Sequence, residues 1–450
     1  MNTTKKQNIL LIITDQQFAG AMSAYNHPEI VDHINTPNMD RIAQMGTLFK
    51  NAYSVNPICV PARTSMFTGR MPHKTGVDQN ENMNFPMKGE CIGKYIKEAG
   101  YDTGYVGKWH VPHDLDNVDW SGFDFRDAVD LAYQDPAIPE ACDKFLNIKR
   151  DKPFFLVASF VNPHDICEHA RRASGMTGAC AEYKNASIGE CTEEQWPPLR
   201  RNNVHSSTLP SAISEHQFYD TQKNTYPTRD WPEGDPRWKE YLWTYYRMVE
   251  GVDKYIGDLL DSLEKTGAMD NTLILFTSDH GDGMGAHGWN QKSLFYEEVA
   301  QIPFIICRPD GKHRGLVDDK TLVNGSIDIA PTLLALADVK TPQSMTGNNL
   351  LAVQDGKDEP QEFVISTTHL HKAYGVRGNA SGRMLRSKNF KYIVFDYGEN
   401  PEQLFAMDGD RLEMEDLAHD PSYRDTLFTH RELLRKWLHD NEDGFQIPFP

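Results

Sequence analysis

The chain has 450 residues, 39% of them hydrophobic, enough to bury a large core and, by length, to form one big domain with a smaller companion. Its formal net charge of -18 excludes general nucleic-acid binding, because sequence-independent affinity for a polyanion comes from Lys and Arg neutralising phosphates. An anionic substrate must therefore find its cations locally.

Residues 1–6 are polar, and the apolar run 9–13 is too short for a signal-peptide core or a membrane span, so neither export signal nor membrane insertion is expected here. Two compartments stay open: the cytoplasm if the chain is full length, the periplasm if a leader has been removed. Apolar runs at 9–14, 103–106, 154–160, 272–277 and 303–306 predict buried strands, with helical segments between them. One helix is expected from about Thr36, with Pro37 in its first turn, and another from about Glu90 to Gly100. A longer one over roughly 238–265 places Leu242, Tyr246, Val249, Tyr255, Leu259 and Leu263 near helical spacing, with Gly267 just beyond. Strands alternating with helices imply a mainly parallel sheet covered on both faces.

The stretch 167–238 has weak periodicity and reads as a long excursion, while 339–360 is polar and rich in Gly, Pro, Asp and Asn, as a linker would be. Beyond it, short strands are expected at 362–367, 374–377 and 383–395, then a helix over 422–439. The division expected is a catalytic domain over 1–345 and a small α+β unit with an antiparallel sheet over 346–450. The seven cysteines, Cys59, Cys91, Cys142, Cys167, Cys180, Cys191 and Cys307, contain no CxxC pair, which argues against a zinc ribbon; their odd number leaves at least one thiol unpaired.

In mainly parallel sheets, ligands bind beyond the carboxyl ends of the strands. Four places qualify: Asp15-Gln16 after LLIIT, Lys108 and His110 after YDTGYVG, Pro163-His164-Asp165 after FFLVASFVN, and Asp279-His280-Gly281-Asp282 after LILFTS. The most informative stretch is 56–70, NPICVPARTSMFTGR. Pro61 can open a helix there, which puts Cys59 just before its positive end and Arg63 on the first turn, an environment that favours a thiolate. A structural cysteine at a helix start is the competing reading of this segment alone.

Cys59-Val60-Pro61-Ala62-Arg63 matches the C-x-P-x-R core of the formylglycine-dependent (type I) sulfatases, and residues 64–69 resemble the rest of that signature. Other matches run in order from Asp15 to Lys292, and GRMLRSKNFKYI and EQLF resemble the family's C-terminal subdomain, so only about 167–238 is unmatched. The overall resemblance is to bacterial carbohydrate sulfatases. It implies an α/β alkaline-phosphatase-like sandwich, and a formylglycine that a separate maturation enzyme makes from Cys59. The hydrated aldehyde then attacks sulfur, displaces the sugar oxygen and releases sulfate by elimination, which an ordinary serine ester could not do. By the same resemblance Asp15, Gln16, Asp279 and His280, with the modified Cys59, hold a divalent cation, expected to be Ca2+, with Mg2+ or Mn2+ as alternatives.

Many members of the family have a second acid at the Gln16 position and Asn at the His280 position; related hydrolases use the Asp-Gln and Asp-His combination. Arg63, Lys108 and Lys292 resemble the cations that meet developing charge, His110 the residue that assists collapse of the sulfated diol, and His164 the general acid, helped by Lys292. His287 in GAHGWNQKS is a secondary candidate. GDGMGAHG lacks the spacing of a phosphate loop, and the alternation of His369 and His371 needs no metal. The expected substrate is a sulfated carbohydrate such as a glycosaminoglycan fragment, carrying a sulfate ester or a sulfamate. Rivals are phosphonate monoesters or phosphodiesters, choline or aryl sulfates, and a binding homologue in which Cys59 stays a thiol. Arg171-Arg172 and Arg200-Arg201 read as solvated charge, and Asn185 and Asn379 as glycosylation-like only in a eukaryotic secreted protein.

Overall fold

A computed structural model of the protein describes all residues except 1–5, 85–87, 129–133, 174–196, 198–230, 232–234, 289–290, 371–379, 399 and 450. Most of the expected excursion, the expected strand at 374–377, and Cys180, Cys191, Asn185, Arg200, Arg201, His371 and Asn379 lie outside the described residues.

The larger sheet contains β1 (Asn8–Asp15), β2 (Thr47–Tyr53), β3 (Asp102–Gly107), β4 (Phe125–Ala128), β5 (Phe154–Pro163), β6 (Thr272–Ser278), β7 (Phe304–Cys307) and β8 (Leu316–Asn324). They lie in the order β4-β3-β5-β1-β6-β7-β2-β8, all parallel except β7, which runs antiparallel to β6 and β2. Side chains alternate along a strand, so Leu10 and Ile12 of β1 enter the core beneath the Pro236–Lys265 helix, while Ile9, Leu11 and Ile13 enter the opposite core. Each of these five side chains is wholly buried and contributes about 1.5–3 kcal/mol relative to exposure. That apolar burial offsets the buried charges that the strand ends carry.

The second sheet, β12-β11-β10-β9, is antiparallel, with β9 (Phe363–Leu370), β10 (Ala380–Ser387), β11 (Phe390–Phe395) and β12 (Glu402–Ala406). The Arg424–Asp440 helix covers one face through Leu427, Leu434 and Leu438, which pack with Leu385, Tyr392 and Leu404. The other face packs Met384, Ile393 and Phe405 against Tyr53, Phe295 and Tyr296, so this sheet closes over the loop that follows β6.

Several sequence expectations shift. The run 383–395 is two strands rather than one, because Ser387 Oγ accepts from the Phe390 N–H at 3.3 Å and the chain reverses there. The expected linker contains a short helix, Leu350–Gln354, started by the Asn349 side chain. The first long helix begins at Pro37 as expected, but the Thr36 hydroxyl pairs with Ser23 at 2.8 Å instead of capping it. Among the described residues, no helix is long and apolar enough to cross a membrane.

Candidate active site

Register puts the site together. Thr14 pairs with Ser278 across β1 and β6, so Asp15 and Asp279 emerge side by side; Asp15 also pairs with Pro163, so His164 follows directly. Lys108 follows β3, whose last residue Gly107 has φ +99, and a Cβ there would lie 1.9 Å from the Ser159 carbonyl oxygen. Gly281 is bound likewise, since its Cβ would lie 2.0 Å from the Glu298 carbonyl oxygen. The helix Cys59–Thr68 starts at Cys59 itself, two residues before the expected start at Pro61, which lies inside its first turn. Asn80 Oδ1 accepts from the Val60 N–H at 2.9 Å and serves as its external cap.

Cys59 is wholly buried, and its Sγ is the centre of the group. Lys292 Nζ lies 3.1 Å away, His280 Nε2 3.2 Å and Asp15 Oδ1 3.8 Å, while His110 and His164 both hydrogen-bond the sulfur. Burial alone would push the thiol up, but Lys292, His280 and Lys108 hold it well below its usual value. The thiolate here stands where a modified side chain would present its oxygens.

Arg63 lies beneath the carboxylates, fully buried. Its Nε donates to Asp279 Oδ2 at 2.8 Å, Nη2 to Asp15 Oδ2 at 3.2 Å, and Nη1 to the Lys108 carbonyl and Ser159 Oγ, each at 2.9 Å. Lys108 Nζ lies 2.7 Å from Asp15 Oδ2. Burial opposes ionisation of Asp15, yet Lys108, His164 and Arg63 hold it far below the usual carboxylate range. Asp279 is pushed up by burial and by the charge of Asp15. A cation bound by both carboxylates would favour the ionised form of each.

The donor set fits that role. Asp15, Cys59, Asp279 and His280 present ligand atoms within 4.8 Å of one another. His280 Nδ1 lies 2.8 Å from the Gly281 carbonyl, which can only accept, so Nδ1 carries a proton and Nε2 is the nitrogen left to face Cys59 and, once deprotonated, to ligate a metal. Gln16, at φ +69, donates from Nε2 to Asp282 Oδ2 at 2.6 Å. Its Oε1 faces the site, 3.3 Å from Lys292 Nζ. Carboxylate and amide oxygens with one imidazole suit a hard divalent ion.

The ten residues singled out in the sequence, Cys59 included, thus meet: eight come from the ends of β1, β3, β5 and β6 or the loop beyond β6, and Cys59 and Arg63 from the helix that follows β2. His287 does not join them: it stacks on Tyr296 at 3.8 Å and groups with Glu298 and Glu413. Sequence reasoning missed Ser159, Asn80, Tyr241 and Tyr245. The Tyr241 hydroxyl meets Asp282 at 2.9 Å, and the Tyr245 hydroxyl donates to the Gln16 carbonyl at 2.7 Å. Their four-residue spacing on one helix face was the only available signal.

Comparison with known proteins identifies the family. The sulfatase family model matches residues 7–339, and a model of the N-sulphoglucosamine sulphohydrolase C-terminal region matches 285–440. The chain is 28% identical to a Delta 4,5-hexuronate-2-O-sulfatase of Bacteroides thetaiotaomicron, covering 98% of this chain and 91% of the relative. It is 29% identical to an N-acetylglucosamine-6-O-sulfatase of the same organism, over 96% and 84% of the two chains. A solved 2-O GAG sulfatase superposes with a TM-score of 0.82 at 25% identity, covering 98% of this chain and 95% of the other. A phosphonate monoester hydrolase of Agrobacterium radiobacter, 19% identical with a TM-score of 0.73 over 96% and 95% of the chains, shares the fold. With the family model spanning most of the chain and the site assembled around Cys59, the protein belongs to the sulfatase family and is a sulfuric ester hydrolase.

Proposed function

We propose that this sulfatase removes sulfate from a sulfated carbohydrate, with Cys59 as the residue that a separate maturation enzyme converts to formylglycine. The observation that carries the reading is the convergence of Lys292, His280, His110 and His164 on the one buried Cys59 Sγ. When mature and loaded, the site supplies a hydrated aldehyde with an ionised hydroxyl beside a divalent cation, which we take to be calcium held by Asp15, Gln16, Asp279 and His280.

The chain's other residues bind charge and move protons. Lys108 and Lys292 flank the Cys59 position and compensate the charge that grows on the sulfonyl oxygens. Arg63, whose donors go to Asp15 and Asp279, acts from below by keeping both carboxylates ionised. His164, aided by Lys292, gives a proton to the leaving oxygen as the sulfur–oxygen bond breaks; the bond's electron pair stays on that oxygen, leaving a free sugar hydroxyl. Without an anion, burial and the two lysines push His164 down to about 4. A sulfate ester seated between those lysines offsets their charge and favours the protonated imidazole. His110, hydrogen-bonded at the Cys59 position, takes the proton whose removal releases sulfate.

The carbohydrate reading is supported by relatives named for hexuronate and N-acetylglucosamine sulfates. It is tested by ion chromatography of sulfate released from defined N-, 2-O-, 4-O- and 6-O-sulfated saccharides, using matured protein. Release from one positional isomer, lost in Cys59→Ala, is expected. No release from any, with the aldehyde verified by peptide mass, would reject the carbohydrate and turn attention to phosphonate monoesters and to choline or aryl sulfates.

A further inference from the structure

Three consecutive carbonyls tie together the chain segments that carry the candidate metal ligands. They belong to Val299, Ala300 and Gln301, at the end of the short helix Glu297–Ala300. The Val299 carbonyl accepts from the Gly281 N–H at 2.8 Å, one residue beyond His280. The Ala300 carbonyl accepts from the Ser54 N–H at 2.8 Å, on the chain that leaves β2 for Cys59. The Gln301 carbonyl accepts from the Ala19 N–H at 3.2 Å, three residues beyond Gln16. Ser54 closes the group, since its hydroxyl donates to the Asp279 carbonyl at 2.5 Å. A displacement of this one helix turn would be felt at Gln16, Cys59, Asp279 and His280 alike.

The antiparallel sheet grips the other end of that helix. Lys391 of β11 is wholly buried, and its three N–H groups go to Glu297 Oε1 and Glu413 Oε1, each at 2.6 Å, and to the Phe295 carbonyl at 2.9 Å. Glu413 Oε2 accepts from the Glu297 N–H at 2.7 Å. Glu297 Oε2 accepts from the Tyr53 hydroxyl at 3.1 Å, whose oxygen accepts from Arg386 Nε of β10 at 2.9 Å. Apolar side chains can slide over one another at small cost. A buried ammonium between two carboxylates cannot, because any shift leaves a charge without its partner and out of reach of water.

We propose that Lys391 and Glu297 are positioning residues for the metal site: their ion pair fixes the helix turn, and the turn's three carbonyls set the spacing of the cation's ligands. Neither residue touches cation or substrate. The proposal rests on the reading that Asp15, Gln16, Asp279 and His280 hold a divalent cation, and it adds that the antiparallel sheet governs how tightly they do so.

The test is calcium binding by matured protein, measured by calorimetry, with Arg431→Met as the comparison. Arg431 Nε donates to Glu402 Oε2 at 2.9 Å on the opposite face of the same sheet, under the Arg424–Asp440 helix, so its loss weakens the sheet without reaching Glu297. Lys391→Met is expected to weaken calcium binding by about tenfold or more, the size of effect seen when a support behind a metal ligand is lost. Glu297→Gln keeps the side chain's size and should shift affinity the same way, so the proposal stays testable if Lys391→Met does not fold. Arg431→Met should change affinity by about twofold or less, as a site not coupled to the metal would. Activity of Lys391→Met should recover as calcium is raised to saturation, which a general loss of stability would not produce. Unchanged affinity in the folded Lys391 and Glu297 variants, or an equal loss in Arg431→Met, would overturn the positioning role and leave the metal assignment intact. No calcium binding by the unmutated protein would reject that assignment and this proposal with it.

Discussion

The side chains of Gln16 and Asp282 meet at 2.6 Å, Nε2 to Oδ2, inside the protein. Asp282 also accepts from the Met284 N–H at 2.7 Å and from the Tyr241 hydroxyl; burial pushes its carboxyl up, while these donors favour its ionised form. An ionised carboxylate only accepts, so the amide is held with its nitrogen toward Asp282 and its oxygen toward the metal site. Asp282→Asn removes that constraint, because an asparagine can present either a donor or an acceptor. Calcium affinity of the variant, measured by calorimetry, is expected to fall by about 10–100-fold, the usual effect of losing a partner behind a ligand. An unchanged affinity would mean that Gln16 does not bind through Oε1.

Arg63 is wholly buried between Asp15 and Asp279, and its loss leaves two carboxylates without their common cation. Breaking such a pair from one side costs about 3–5 kcal/mol, far more than the pair itself contributes over an apolar substitute. Arg63→Met should therefore lower the urea midpoint by that equivalent in metal-free protein. Added calcium should recover more of the loss in the variant than it adds to the unmutated chain, since a cation ligated by both acids replaces the missing charge. Equal stabilisation of the two proteins would show that the metal does not rest on these carboxylates.

Proton donation by His164 matters in proportion to how poor the leaving group is. A sugar alkoxide needs a proton as it departs; 4-nitrophenolate hardly does. His164→Ala is expected to reduce kcat on a saccharide sulfate by about 10²–10⁴-fold, the range of general acid catalysis, with a far smaller effect on 4-nitrophenyl sulfate. Equal losses on both esters would assign His164 to sulfate binding.

Much of this site is legible in the sequence because its scaffold is made of continuous apolar strands. β1 and β6 are buried along their whole length, so each run ends abruptly at a polar residue, and Asp15 and Asp279 stand out at those ends. β2 and β8 are not legible in this way. β8, LVDDKTLVN, is the sheet's edge strand and exposes its first half, so its charges break the apolar pattern. The grip of Tyr241 and Asp282 on Gln16 is illegible for a different reason. The three residues lie far apart in the chain, and a tyrosine on an amphipathic helix reads as core until the tertiary fold shows what its hydroxyl meets.

Asp328 carries a pH dependence that is independent of catalysis. Its carboxyl, at the start of the Ile329–Leu336 helix, accepts from the Asn348 and Asn324 N–H groups at 2.8 Å and from Gln361 Nε2 at 3.0 Å, yet burial outweighs them and pushes its pKa up to about 7. The folded state therefore holds a proton that the unfolded chain gives up near 3.8, so this group's contribution is fully present below that pH and is lost as pH rises toward about 7. The maximum slope is about 1.4 kcal/mol per pH unit for one proton. Asp328→Asn cannot titrate, and although it forfeits one acceptor oxygen and some stability, its urea midpoint should fall less between pH 4.5 and 7 than that of the unmutated chain. Parallel pH profiles for the two proteins would show that Asp328 is already ionised throughout that range, and that its three donors outweigh its burial.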